Sequence, residues 1–338
     1  MAARHHTVPQ MYLRNFADGS GGIMLANRDD PGLTFKTSTR KAVAERGFYR
    51  IETEDLARDE DRVEHDPEAI ENALSQVEGA IAASIKRLVE PGSTPDQTDW
   101  YRLIQFAALQ TVRGRRWRED MVALATQAAR TSILAELDDE HIRVWLVAQD
   151  LPAGPDDVAA FYESLQGSRF PRLIPPQAVL VQESLKMAFG DPATGDLGLQ
   201  QFLAGKSVSL IRTSRVAVLT SDEPVCWWSP GDAPIGYATA QMVWVPLSPR
   251  LILQFRDPDF DPAAHGVPDV ADYLAKFVNG LVAAQADRWI IHHPSDAPLA
   301  DMQLPARELW GDELVAERDE EDGTRRELFV HRRLRPQE

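Results

Sequence analysis

An α+β fold is what three features of these 338 residues predict: a helical middle packed on a mixed or antiparallel sheet. The middle of the chain carries apolar residues at three- and four-residue spacing. The last third carries short apolar runs of strand composition, bounded by Pro, Gly and Asp. Near the start, "IMLANRD" and "LTFKTSTRKA" flank the turn signal Asp30 to Gly32, which reads as a β-hairpin. If that hairpin joins the late strands, the chain closes through its two ends. The expectation is one domain over residues 1–338, helical at 66–190, with sheet at 8–52 and 205–335.

Element by element, Pro9 to Phe16 suits a short helix, because proline fits a first helical turn, and Asp18 to Gly22 ends it. "RGFYRIE" (46–52) reads as a further strand. Residues 67–90 give the clearest helix: Ile70, Leu74, Val77, Ile81, Ile85 and Leu88 share one face, with Asp66 as cap and Pro67 in the first position. A second long helix runs from Gln97 to Ala129 and bends or breaks near Gly114. Further helix is expected at 131–148, 155–166 and through "AVLVQESLKMAF". Strands follow in "SVSLIRTS", "VAVLTSD", "QMVWVPLS", "LILQF" and "RWIIHH", with the helix "DYLAKFVNGLVAAQA" among them. After the acidic tract "DELVAERDEEDG", the segment "TRRELFVHRRLRP" reads as a terminal strand or helix with a basic end.

Lys plus Arg number 36 and Asp plus Glu 52, a formal net charge of −16. A field of that sign repels phosphate backbones and anionic membranes at long range, while leaving room for a local basic pocket. The single cysteine, Cys226, excludes an internal disulfide and a cysteine-based zinc site, and it suits a reducing compartment. The N-terminus has no apolar signal region, and no apolar run reaches membrane-spanning length. A cytoplasmic protein without membrane attachment is therefore expected.

Five segments recur in a recognisable order: "HHTVPQMYLRNF", "FAALQTVR" (Phe106 to Arg113), "VLTSDEPV" (Val218 to Val225), "VPLSP" (Val245 to Pro249) and "FVNGLVAAQADRWI" (Phe277 to Ile290). Together they resemble the bacterial domain-of-unknown-function 4238 family, over roughly residues 5 to 295. Its pattern is a His-x-Val-Pro-x-x-Tyr-Leu start, a helical Gln-x-x-Arg, a Ser-Asp-x-Pro-Val strand end and a Pro-Leu-Ser-Pro turn. This chain has Thr7 where an aromatic is common and Glu223 where an Asn is common. The resemblance implies no activity, so function rests on the residues. His6 fits the family spacing; His5 is an extra.

His6 titrates near neutrality and is a candidate acid, base or metal ligand; otherwise its ring fixes the first helix to the core. Asp222 ends an apolar strand, a rigid place for a catalytic carboxylate or metal ligand; otherwise it accepts backbone N–H bonds in a turn ahead of Pro224. Gln110 and Arg113 share a helix face one turn apart and suit a carboxylate or phosphate. Arg14 is a candidate anion clamp or an ordinary ion pair. Glu71 and Glu78 border the apolar stripe of their helix, where they could join His6 or Asp222 around a divalent cation or pair with arginines. Asn279 is a polar group for the site or a core amide bonding across a helix contact. Ser221 lacks a nucleophile elbow, adjacent His292 and His293 face opposite ways, and Trp227, Trp228 and Trp244 suit a core. Phosphate-loop, dinucleotide, zincin, EF-hand and kinase signatures are missing.

Three readings stay open, the last a basic groove from Arg113 to Arg118 that binds nucleic acid without cutting it, which the net charge disfavours. In the first, His6, Gln110, Arg113 and Asp222 converge on a phosphoester hydrolase site, nuclease-like or nucleotide-directed, with Arg14, Asn279 and Glu71 assisting binding and a divalent metal ion at His6 and Asp222. Its partner is a phosphate-containing small molecule or nucleic acid. In the second, the same residues form a structural network in a non-catalytic binding or interaction protein.

Overall fold

The computed structural model describes residues 4–56, 66–166, 170–231, 235–300, 302–305, 309–319 and 325–334. In chain order the elements are β1 (Arg4–His6), α1 (Gln10–Leu13), β2 (Gly22–Asn27), β3 (Thr34–Ser38), β4 (Ala44–Arg46), α2 (Ala69–Val89), α3 (Gln97–Thr111) and α4 (Arg115–Glu136). There follow α5 (Asp139–Ala148), α6 (Pro155–Gln166), α7 (Gln177–Phe189), α8 (Leu199–Ala204), β5 (Ser207–Arg212), β6 (Thr220–Ser221), β7 (Cys226–Trp228), β8 (Met242–Ser248) and β9 (Leu251–Arg256). The last are α9 (Ala271–Gln285), β10 (Trp289–His292), β11 (Leu309–Asp319) and β12 (Arg325–Leu334). The chain forms two compact units, Met1–Trp117 with Gln177–Glu338, and Arg118–Pro176. Among the described residues no helix is long and apolar enough to cross a membrane.

The larger unit is α+β, and every strand pair described in it is antiparallel. One sheet has the order β3-β2-β10-β6. In it the early β2–β3 hairpin joins the late strands, with Ile290 opposite Ala26 and Ser221. A second sheet, β5-β9-β8-β7, is built from late strands alone. Besides the two-stranded pairs β1-β4 and β11-β12, these two four-stranded sheets thus stand where one was expected. Tyr12 of α1 is fully buried and ties them together: its hydroxyl bonds Thr220 Oγ1 at 2.6 Å in one sheet and donates to the Pro246 carbonyl at 2.5 Å in the other. The core between α9 and the sheets includes Val218, Trp244, Ile252, Val278, Val282 and Ile290.

Helix α2 begins at Ala69, two residues after the expected start. Asp66 does not cap it; its Oδ1 accepts the Glu68 N–H at 2.9 Å in the preceding turn. Helix α3 opens on a capping box, in which Asp96 and Asp99 each accept the other's backbone N–H at 2.8–2.9 Å. It stops at Thr111, so the break expected near Gly114 separates α3 from α4.

Two expectations need correction. "RGFYRIE" is not a strand: β4 ends at Arg46 and Gly47, at φ 65°, turns the chain. "VAVLTSD" pairs in a sheet only at Thr220 and Ser221. Residues 214–217 and 219 need no ladder because α9 side chains take their place, while the Val218 N–H donates to Pro249 O at 2.9 Å. Asp272 accepts the N–H groups of Ser214, Arg215 and Val216, and Asn279 bonds Ala217 O and Leu219 N, both at 2.8 Å. The basic tail takes the strand alternative: it forms β12, paired with β11 from Leu309↔Leu334 to Asp319↔Arg325, and β11 itself was not anticipated. The short β7 and α8 were not anticipated.

In the smaller unit, α5 and α6 enclose Ile142, Leu146 and Val158, and Trp145 stacks on Phe161 with centroids 4.8 Å apart. Asp138 caps α5 by accepting the His141 N–H at 2.8 Å.

Candidate functional site

Strand β1 is only three residues long, yet it organises two polar constellations in the larger unit. The first lies where β1 meets α2 and α3. His5 is fully buried, stacked on Tyr49 at 5.9 Å, and its Nδ1 accepts the Tyr49 N–H at 2.7 Å. Its Nε2 must then carry the proton, which it donates to Glu68 Oε2 at 2.9 Å. Arg113 is buried beside it. Its Nε donates to the His6 carbonyl at 3.1 Å, its Nη1 pairs with Glu78, and its guanidinium lies 5.2 Å from the Tyr49 ring centre. Burial works against that charge, but Tyr49, Glu78 and Glu71 outweigh it and hold the Arg113 pKa above its usual value. Gln110, also buried, donates to the Thr7 carbonyl at 2.9 Å.

This constellation is not fully paired. His6 Nε2, Glu71 Oε2 and Gln110 Oε1 are buried with no hydrogen-bond partner among the described residues. Burial pushes the His6 imidazole below its ordinary range, opposed by the carbonyls of Arg40 and Thr39. Burial pushes the Glu71 carboxyl up, opposed by Arg113 and His5.

The second constellation lines a cavity of about 240 Å³. Its walls come from Thr7 after β1, the β2–β3 hairpin, the 41–45 segment, Arg115 at the start of α4, the Asp222–Glu223 corner after β6, and the Asp287–Trp289 turn before β10. Asp222 Oδ1 accepts the Asp287 N–H at 3.0 Å, and Oδ2 accepts those of Arg288 and Trp289 at 2.8 and 2.9 Å. Burial and Asp287 push this carboxyl up to about 6 against the pull of those three donors.

Glu223 is the residue that sequence reasoning passed over. It is 9% exposed, and Oε1 accepts the Arg116 N–H at 3.3 Å, so the carboxyl sits on the first turn of α4. A Cβ on Gly114 would fall 2.0 Å from Oε1, which explains a glycine at the α3–α4 break. Burial pushes Glu223 up to about 8; Arg116 pulls it down, and Asp222 and Asp287 add to the rise. The carboxyl is thus neutral at pH 7 and able to donate a proton. Ser221 Oγ is spent locally, donating to the Glu223 carbonyl at 2.8 Å and accepting the Glu223 N–H at 3.1 Å. At the rim, Arg115 Nε pairs with Glu45 at 2.8 Å. Arg288 lies over Trp289 at 4.9 Å, and Phe35 meets the same ring edge-on at 5.6 Å.

Of the residues singled out in the sequence, His6, Gln110, Arg113 and Glu71 gather in the first constellation. Asp222 stands in the second, to which they contribute no lining side chain; the two are joined through Thr7 and through residues 113–116. Arg14 is exposed and bonds Gln10 at 3.3 Å, and Asn279 is buried against 217–219, so neither touches the cavity. The metal site envisaged at His6 and Asp222 is not formed: both Asp222 oxygens already hold backbone N–H groups. Among the described residues, no group of three or more His, Cys, Asp or Glu could hold a metal ion.

No curated protein and no solved structure matches the chain. One family does, over residues 4–296: the DUF4238 family, described as proteins of unknown function. That span takes in both constellations and every segment of the resemblance, and the chain belongs to the DUF4238 family.

Proposed function

We propose that the chain is a hydrolase acting on a small phosphoester held in the cavity, with Glu223 as the proton donor. The observation that carries this reading is a buried carboxyl group, raised to about 8, that lines a cavity beside Lys41, Arg115 and Arg288. Water attacks phosphorus, the bond to the leaving oxygen breaks, and Glu223 gives that oxygen its proton. The resulting carboxylate takes a proton from the attacking water, so the acid is restored. The rim cations face the charge on the phosphoryl oxygens. Asp222 has a supporting role, orienting the 287–289 turn and keeping Glu223 neutral by its own charge. The single buried Cys226 is compatible with the cytoplasmic location included in this proposal.

The test is turnover of p-nitrophenyl phosphate and bis(p-nitrophenyl) phosphate by the full chain. Glu223→Gln keeps the shape and loses the transferable proton, so kcat should fall about 10²–10⁴-fold. Equal rates for the two proteins would sink the proposal.

A second reading has its own observation. Arg113, Gln110 and Asn279 each bond backbone carbonyls, as a scaffold requires. In that reading the cavity binds its ligand without turning it over, and the wild-type chain shows binding but no hydrolysis.

A further inference from the structure

The cavity is lined by two chemically distinct kinds of group. One kind is the Asp222 and Glu223 carboxyl groups; Asp222 is committed to backbone N–H groups, while Glu223 has one oxygen on the Arg116 N–H. The lining also holds Phe35 and Trp289 in edge-to-face contact, the Arg288 guanidinium stacked on the indole, Lys41, and Arg115 paired with Glu45. Phe35 is 41% exposed and Trp289 half-buried, so both rings are reachable from solvent. Aromatic faces beside guanidinium and ammonium groups hold planar heterocycles and phosphates. A carboxylic acid keeps both a donor and an acceptor, so it matches the adjacent donor and acceptor on the edge of a nucleobase. At about 240 Å³ the cavity lies just below the usual range of small-molecule sites, so it would enclose part of such a unit.

We infer that the ligand of this cavity is a nucleotide, its base held between the Phe35–Trp289 rings and the Glu223 carboxyl and its phosphate on Lys41, Arg115 and Arg288. This deepens the hydrolase reading and rests on it for the location of the site, but binding is measured apart from turnover. The experiment is calorimetric titration of the full chain with the four common nucleoside monophosphates, ribose 5-phosphate and inorganic phosphate. At least one nucleotide should bind ten-fold or more tightly than ribose 5-phosphate. Lys41→Ala should weaken it several-fold, and Trp289→Leu ten-fold or more. The exposed Lys41→Ala variant keeps the test valid if the β10 change disturbs folding, which circular dichroism would show.

Ribose 5-phosphate or phosphate binding as tightly as every nucleotide would overturn the inference, as would no nucleotide binding at all. Glu223-dependent hydrolysis of the nitrophenyl esters alongside that result would leave the hydrolase reading standing. Nucleotide binding without any turnover would support the inference and sink the hydrolase reading.

Discussion

Replacing Arg113 with Met is expected to destabilise the larger unit by about 3–5 kcal/mol, the range for removing one partner of a buried ion pair. The guanidinium is 1% exposed and its partner Glu78 is 18% exposed, so water cannot readily take its place. The loss would leave the Glu78 carboxylate without its cation, the His6 carbonyl without the Arg113 donor, and Glu71 without the charge that draws its pKa down. Arg113→Met combined with Glu78→Met should recover part of the loss, because the orphaned charge is gone. Urea unfolding followed by circular dichroism measures both. A single-variant cost below about 1 kcal/mol would show that the pair does not hold β1 to α2 and α3.

The second large effect is expected at Asp222→Ala, a loss of about 2–4 kcal/mol. Three backbone donors, those of Asp287, Arg288 and Trp289, converge on one carboxylate. Alanine leaves these part-buried groups without that acceptor, just where α9 passes into β10. Asp222→Asn keeps one carbonyl oxygen but turns an NH₂ group towards N–H donors, so its cost should approach that of alanine. Amide hydrogen exchange gives the local readout: protection at 287–289 should fall more than protection in β8 or β9. Unchanged exchange at that turn would contradict this role for the carboxylate.

Much of the fold is legible in the sequence because its signals are local. The β2–β3 hairpin follows from a turn signal between extended runs, α2 and α9 follow from apolar spacing, and the α3–α4 break follows from Gly114. The missed features depend on distant partners. Residues 216–219 have strand composition but not strand pairing, since Asn279, some 60 residues later, supplies the bonds of a ladder. His5 looks like an extra beside His6 until Glu68, 63 residues away, accepts its proton. Glu223 owes its burial to the first turn of α4, 107 residues earlier. One sequence signal did point to it: Glu223 stands where the family pattern commonly has Asn, and an acid in that place is a difference in chemistry as well as in charge. The candidate site was therefore legible in part. The Asp222 corner is visible as a strand end, but the group beside it that can donate a proton is not.

The neutral state of Glu223 has a thermodynamic signature. Its folded-state pKa lies above the unfolded value, so its contribution to stability is complete below about 4.5 and is lost as pH rises through about 8. Glu223→Gln should remove that loss, making the variant the more stable protein above pH 8. The most direct measurement is a carbon-13 NMR titration of the Glu223 side-chain carboxyl, assigned by its absence in Glu223→Gln. A midpoint near 8 is the expected result. A midpoint near the ordinary glutamate value of 4.5 would mean an ionised carboxylate at neutral pH, and with it the end of Glu223 as proton donor.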